Sequence, residues 1–378
     1  MSEQAMTMDG RPDREPPSGM AQLVYPFEGP PARGHTIEVA PGVRWIRMPL
    51  PYALNHINLW ALDDGEGWAL VDTGVRTEET TLAWRAQFAN APDARPLTRV
   101  IVTHMHPDHV GMAGWLTRKF GVRLWMTPLE YLSCRAMVSD TGREAPPDAI
   151  AFFHSAGWSE AAIETYRTRF GNFGKHIHPL PDSFRRLDDG QELGIGANTW
   201  RVIIGTGHSP AHACLYCPAL KLLISGDQVL PRISSNVSVY PTEPDADPMR
   251  GWLDSLAKVK REVPDDVLVL PAHNECFRGL HARIDALAQG QERSLERLRR
   301  SLQERKRAVD VFGALFARAI GEADVPLLGM ATGESLACLN YLLYRGEVAR
   351  EVDAEGVAWY RGVTPQGKYS VAGETKER

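Results

Sequence analysis

Six residues in one short stretch carry four side chains of the metal-binding type: His104, His106, Asp108 and His109 in THMHPDH. Neutral imidazole and carboxylate are good ligands for zinc and similar first-row ions. In a turn, residues two apart can address one pocket, which leaves Asp108 and His109 to address a second pocket close by. Without a cation, four such groups would repel one another or stay unsatisfied. Four more positions join them as candidates: Asp72 in VDTG, His208 in GTGHSPAH, Asp227 in SGDQ and His273 in PAHN. Taken alone, a strand-end histidine is more often a hydrogen-bonded structural residue, and Asp227 in Ser-Gly-Asp reads as a turn residue. Beside the 104–109 run they become ligands in waiting.

Each of these residues stands at or just after the end of an expected strand. Residues 36–50 alternate apolar and polar side chains around a Pro-Gly turn, a hairpin signal. Residues 56–74 repeat the pattern around Asp63, Asp64 and Gly65. A helix is expected over 77–90 with Thr77 as its cap, a buried strand over 100–103, a helix over 111–120, and a strand at 122–127. Residues 128–178 have helical periodicity and form a helical insertion. There Phe152, Phe153, His154, Trp158 and Tyr166 read as core first and as a lid over the site second. Strand texture returns over 184–240, followed by a helix at 249–262 and a buried strand ending at His273. Ligands bind where strands of such interleaved folds stop. From about 280 the chain turns helical, with Ile284, Leu287, Leu295, Leu298 and Leu302 forming one apolar stripe. A second helix is expected over 308–320, then a helix from about 332, then a two-strand hairpin turning at Asp353–Gly356. Three helices and a hairpin are the pattern of a winged-helix module.

The chain has 378 residues, 43% hydrophobic and 24% charged, which excludes both a disordered protein and a small disulfide-stapled scaffold. Such a length can bury a large core, so metal is not needed merely to hold the fold. The net charge of −5 speaks against a generally basic nucleic-acid-binding surface. Five scattered cysteines are not a disulfide framework. The first residues lack an apolar core of a secretory signal, and no apolar run approaches 18 residues, so the expectation is a cytoplasmic protein that does not touch the membrane. The domain plan is a disordered N-terminus at 1–20, a catalytic domain at 21–280 with its insertion at about 128–178, a winged-helix-like domain at 281–365, and a flexible tail at 366–378.

THMHPDH, preceded by VDTG and followed in order by GTGHSPAH, SGDQ and PAHN, resembles the metallo-β-lactamase superfamily. The resemblance spans about residues 36–280. It implies an α/β fold, a four-layer αββα sandwich, and two divalent metal ions, zinc first, with manganese or iron as the other choices. It places His104, His106 and His208 on the first metal, Asp108, His109 and His273 on the second, and Asp227 between them. Asp72 matches an aspartate that orients a ligand histidine. Asp108, Asp227 and Asp72 are thereby the residues on which catalysis would turn. The presence of Asp108 and His273 looks more like the thioesterase, lactonase and nuclease branches than like lactam hydrolysis. The tail is similar to that of superfamily hydrolases with an associated winged-helix domain, some of which cleave single-stranded RNA.

The expected activity is hydrolysis of an ester, thioester or lactone by a hydroxide held between two metals, with a small-molecule substrate. The alternatives are a metal-dependent endoribonuclease with single-stranded RNA as its partner, and a mononuclear iron dioxygenase acting on persulfides. A homo-oligomer is compatible with all three. The basic helix around Arg293–Arg300 is interleaved with Glu292 and Glu296, which reads as a solvated, ion-paired face. His56, Asn58, Arg232, Ser235 and Asn236 are candidates for substrate contact. His212 suggests a supporting hydrogen bond. Cys214 and Cys217 lie three apart in a strand, face opposite sides and read as packing.

Overall fold

The computed structural model describes residues 23–90 and 95–363. The segments expected to be disordered or flexible, 1–20 and 366–378, lie outside the described residues. Alternating apolar side chains build a first sheet of seven strands in chain order: β1 (Ile37–Ala40), β2 (Val43–Pro49), β3 (His56–Asp63), β4 (Trp68–Val71), β5 (Leu97–Ile101), β6 (Arg123–Met126) and β7 (Arg185–Arg186). β1 to β4 pair antiparallel, and β4 to β7 pair parallel. The second sheet comprises β8 (Glu192–Ile195), β9 (Asn198–Gly205), β10 (His212–Cys217), β11 (Leu222–Gly226) and β12 (Leu268–Pro271), in the order β12-β11-β10-β9-β8. Only its β11–β12 pair is parallel. A hairpin of β13 (Val348–Val352) and β14 (Ala358–Gly362) stands apart.

The helices are α1 (Glu78–Ala89), α2 (Pro107–Val110), α3 (Ala113–Phe120), α4 (Pro128–Ser139), α5 (Pro147–Ser155), α6 (Glu160–Arg169), α7 (Pro248–Glu262), α8 (Leu280–Ser301), α9 (Phe312–Leu315) and α10 (Val325–Tyr344). Thr77 caps α1 by accepting the Thr80 N–H, as its sequence position suggests.

Strand side chains alternate between faces, and that alternation sorts the core into layers. Trp60 and Leu62 of β3 join Trp45, Val71 and Ile101 against Trp200, Val202, Leu215, Ile224 and Leu270 of the other sheet. Ile57 and Leu59 face the other way, toward Trp84 of α1 and Leu116 of α3. The outer face of the second sheet, with Ile203, Cys214, Leu223 and Val269, packs on Met249, Trp252 and Leu256 of α7. The result is the αββα sandwich. Cys214 lies in the outer cluster and Cys217 in the inner one, so the pair does face opposite sides.

Phe153 and Trp158 of the insertion share one continuous cluster with α7, α8 and α10. The Trp158 Nε1–H donates to Thr332 Oγ1 at 2.9 Å.

Two helix boundaries differ from the sequence reading. The expected helix over 308–320 is only a 3-10 turn, Ala308–Val311, followed by the single-turn α9. Arg297 takes the carbonyls of Ala314 at 2.8 Å and Leu315 at 3.4 Å, so those groups are satisfied without further helix. α10 begins at Val325, well before 332, because the Asp324 side chain accepts the Leu327 N–H and Pro326 sits in the first turn. The hairpin turns at Asp353, whose side chain accepts the Glu355 and Val357 N–H groups. It docks through reciprocal backbone bonds between Lys306 and Tyr360.

One contact from the helical layer reaches the turn after β4. The Trp84 Nε1–H donates to the Thr73 carbonyl at 2.8 Å, and both residues are buried. Trp84→Phe keeps an aromatic ring, though a smaller one, and orphans that carbonyl. The expected loss is about 1–3 kcal/mol, read as a lower urea midpoint with an unchanged slope.

Candidate metal centre

All seven expected ligands meet at one edge of the sandwich. Asp72 follows β4, the 104–109 run follows β5, His208 follows β9, Asp227 follows β11 and His273 follows β12. Asp72 has a left-handed backbone, φ 62°, a conformation aspartate tolerates better than most residues. Gly226, at φ 50°, precedes Asp227; a Cβ there would lie 2.4 Å from His212 Nε2.

Three overlapping donor sets form: His104, His106 and His208; His104, His109 and Asp227; and Asp108, His109 and His273. Within each, the ligand atoms lie within 4.8 Å of one another. His208 Nε2 is 3.3 Å from His104 Nε2 and 3.4 Å from Asp227 Oδ2. His273 Nε2 is 3.3 Å from Asp108 Oδ2 and 3.4 Å from Asp227 Oδ1. His109 Nε2 is 3.6 Å from Asp108 Oδ2 and 3.5 Å from Asp227 Oδ2. A tetrahedral shell with bonds of ~2.0–2.1 Å has edges of about 3.3 Å, so these separations suit a divalent first-row ion.

The outward nitrogens explain how the rings are aimed. His208 Nδ1–H donates to the Asn236 carbonyl at 2.7 Å, and His273 Nδ1–H to the His56 carbonyl at 2.9 Å. His109 Nδ1–H donates to Asp72 Oδ2 at 2.9 Å. His104 Nδ1 lies 3.0 Å from Thr103 Oγ1, whose own proton goes to Asp72. With Nδ1 protonated, Nε2 of each ring offers a lone pair to the centre. His109 Nε2 and Asp227 Oδ1 are buried without a hydrogen-bond partner, a costly arrangement that a cation relieves.

Burial, reinforced by neighbouring imidazoles, lowers the His104 pKa well below the usual range and that of His106 to about 3. Burial pulls His273 down too, but Asp227 and Asp108 outweigh it and raise it to about 10. Likewise Asp108, Asp72 and Asp227 overcome burial at His109 and lift it well above its ordinary value. Burial would raise Asp227, yet the His273 and His109 charges hold it well below the carboxylate range. These carboxylates thus favour the protonated form of His109 and His273 against the pull of burial.

Glu130 went unnoticed in the sequence. This fully buried residue of α4 accepts the Met105 N–H at 2.9 Å on one oxygen. The other oxygen takes Ser209 Oγ–H at 2.6 Å and Ala211 N–H at 2.7 Å. It thus clamps the 104–109 loop to the 208–212 loop. Burial raises its pKa despite those bonds.

The substrate-contact candidates fare differently. Asn58 is wholly buried, which overturns its placement at the mouth of the site. Its amide donates to the Pro271 and Asn274 carbonyls at 2.9 and 2.8 Å, and its oxygen accepts from Trp45 and Arg47, fixing the segment around His273. His56 orients His273 through its carbonyl, while its ring accepts the Asn274 N–H. Ser235 is likewise buried, and its hydroxyl donates to the Asp227 carbonyl rather than facing a substrate. The Asn236 side chain is held by Glu334. Arg232 is half-exposed and paired with Glu275 at 2.9 Å. His212, fully buried, accepts the Asp227 N–H at 3.1 Å, and burial together with His208 lowers its pKa to about 3.

The chain belongs to the metallo-beta-lactamase superfamily, whose family model matches residues 53–273. A second model, the metallo-beta-lactamase-like C-terminal domain, matches residues 295–363. The chain is 25% identical over 270 residues to the "Probable metallo-hydrolase YqjP" of Bacillus subtilis, covering 69% of this chain and 80% of that protein. It is 40% identical to a beta-lactamase domain protein from Burkholderia ambifaria, with a TM-score of 0.82 and coverage of 90% and 98% of the two chains. A metallo-beta-lactamase family protein from Thermus thermophilus is 25% identical, with a TM-score of 0.70 and coverage of 86% and 100%. No helix among the described residues is long and apolar enough to cross a membrane.

Because Asp108 and Asp227 favour the protonated forms of His273 and His109, a cation competes with protons there. Metal uptake is expected to release protons. Affinity should fall as pH falls, since lower pH favours the protonated rings. Calorimetric titration in two buffers of different ionisation enthalpy measures the release.

Proposed function

We propose that this metallo-hydrolase holds two divalent ions, zinc first, and cleaves an ester, thioester or lactone bond in a small molecule. The observation that carries the reading is the position of Asp227. Its Oδ2 faces His208 at 3.4 Å and its Oδ1 faces His273 at 3.4 Å, so one carboxylate spans both groups of donors. His104, His106 and His208 would hold one ion, Asp108, His109 and His273 the other, and Asp227 would serve both. Divalent ions there would supply Lewis acidity, which would favour ionisation of water near neutral pH and offset negative charge on the substrate oxygen.

The chain's own residues do the rest. Asp72 keeps His109 in the tautomer that presents Nε2 inward, and also accepts the Thr103 N–H at 2.8 Å, locking the turn after β5. Glu130 and His212 hold the loops of His104, His208 and Asp227 in register. A thiolate leaving group needs little protonation, whereas an alkoxide needs a proton donor, which favours thioesters among the candidate bonds.

The arginines of α8 give the ribonuclease reading little support. Arg299 pairs with Glu292 at 2.7 Å and Glu347 at 2.6 Å, and Arg300 with Glu296 at 2.8 Å, so these cations are engaged already. The complete set of Asp108, His109 and His273 favours two ions over a mononuclear iron site.

Elemental analysis with hydrolysis assays on acyl-thioesters, esters, lactones and single-stranded RNA tests the proposal. Two zinc or manganese ions and turnover of an acyl substrate are expected; one iron per chain, or cleavage of RNA alone, contradicts it. His208→Ala and Asp108→Ala should each lose metal and all measurable hydrolysis. Asp72→Asn keeps a residue suited to the left-handed turn, and should weaken metal binding by roughly 10- to 100-fold.

A further inference from the structure

Glu334 lies in the middle of α10, outside the 53–273 match, and is 1% exposed. A buried carboxyl group on a largely apolar helix is unfavourable unless something engages it. One partner is seen: Glu334 Oε2 accepts from Asn236 Nδ2–H at 3.0 Å. The main-chain carbonyl of Asn236 is the acceptor for His208 Nδ1–H at 2.7 Å. A two-bond path therefore runs from the C-terminal helix to a ligand histidine.

The surroundings make this path stiff. Ser238 Oγ–H donates to Asn236 Oδ1, so both ends of the amide are fixed. The Val239 N–H donates to the Gly333 carbonyl at 3.0 Å. A Cβ at Gly333 would lie 2.8 Å from Ser238 Cβ and from the Val239 oxygen, so glycine is what lets the loop come this close. Further along α10, Asn340 Nδ2–H donates to the carbonyls of Pro244 and Ala246 at 3.0 and 2.9 Å, and Tyr344 Oη–H donates to that of Asp245. The helix thus grips the segment 236–246 at successive turns, and Glu334 is the grip nearest the metal centre. Burial pushes the Glu334 pKa up to about 8, only partly offset by the Asn236 bond.

We propose that Glu334 is a positioning residue for the metal centre: through Asn236 it fixes the carbonyl that sets the tautomer and ring plane of His208. The C-terminal helix thereby completes the metal site. This inference rests on the metal-binding reading of His104, His106 and His208.

Cobalt(II) titration of the metal-free full-length chain tests it, followed by visible d–d absorption, with circular dichroism as the check on folding. E334L removes the acceptor while keeping an apolar filling. It should weaken the cation held by His104, His106 and His208 by roughly 10- to 100-fold and alter its absorption band. The cation held by Asp108, His109 and His273 should be unaffected. E334Q keeps an acceptor oxygen for Asn236 and should bind within about threefold of the wild type. N236A retains the main-chain carbonyl but loses its anchor, and should resemble E334L; it carries the test if E334L does not fold. Folded E334L or N236A with wild-type affinity and spectrum would overturn the proposal, as would E334Q falling as far as E334L. Wild-type protein that takes up no cobalt would instead refute the metal reading itself.

Discussion

Buried imidazoles and carboxylates brought within hydrogen-bonding distance, yet left without mutual satisfaction, are the constraint around which this molecule is organised. His109 Nε2 and Asp227 Oδ1 have no hydrogen-bond partner, and the ring nitrogens of His208 and His104 face each other at 3.3 Å. Such an arrangement is costly without a cation, and the donor chemistry suits a divalent one. Everything near the centre keeps these groups from relaxing toward other partners. Each outward nitrogen of His104, His109, His208 and His273 already has one, on Thr103, Asp72, Asn236 and His56 respectively.

The scaffold contributes through strand ends. β4, β5, β11 and β12 all stop at the same edge, so residues far apart in the chain arrive together without long loops. Trp45 and Trp60, stacked with ring centroids 6.1 Å apart, share the core between the sheets with Trp200. Glu130 and Glu334 then tie the loops from outside, one from α4 and one from α10. Both are carboxyl groups buried in helices, a placement with no value for stability by itself unless their hydrogen bonds are kept. The insertion and the C-terminal helices share one hydrophobic cluster with α7, so the surroundings of the site extend well past the superfamily sandwich.

Much of the centre was legible in the sequence because ligand side chains advertise themselves by type. Four in the 104–109 run, and others at the ends of apolar stretches, needed no contact information to stand out. The supporting residues carried no such mark. Asn58 read as a residue at the mouth of the site, whereas its partners Pro271 and Asn274 lie more than 200 positions away. Glu130 is an acid in the first turn of α4, an ordinary place for one, and only the distant Ser209 and Ala211 reveal it as a clamp. The start of α10 is signalled in the sequence by Asp324 as cap and Pro326 in the first turn. The early end of α9 was not readable, since it depends on Arg297 reaching across to the Ala314 and Leu315 carbonyls.

Anomalous diffraction from crystals of the zinc-loaded chain shows whether this cluster is a two-ion centre. Two peaks flanking Asp227 are expected, one enclosed by His104, His106 and His208, the other by Asp108, His109 and His273. Zinc absent from this cluster at full loading, or scattered over surface histidines, would contradict it.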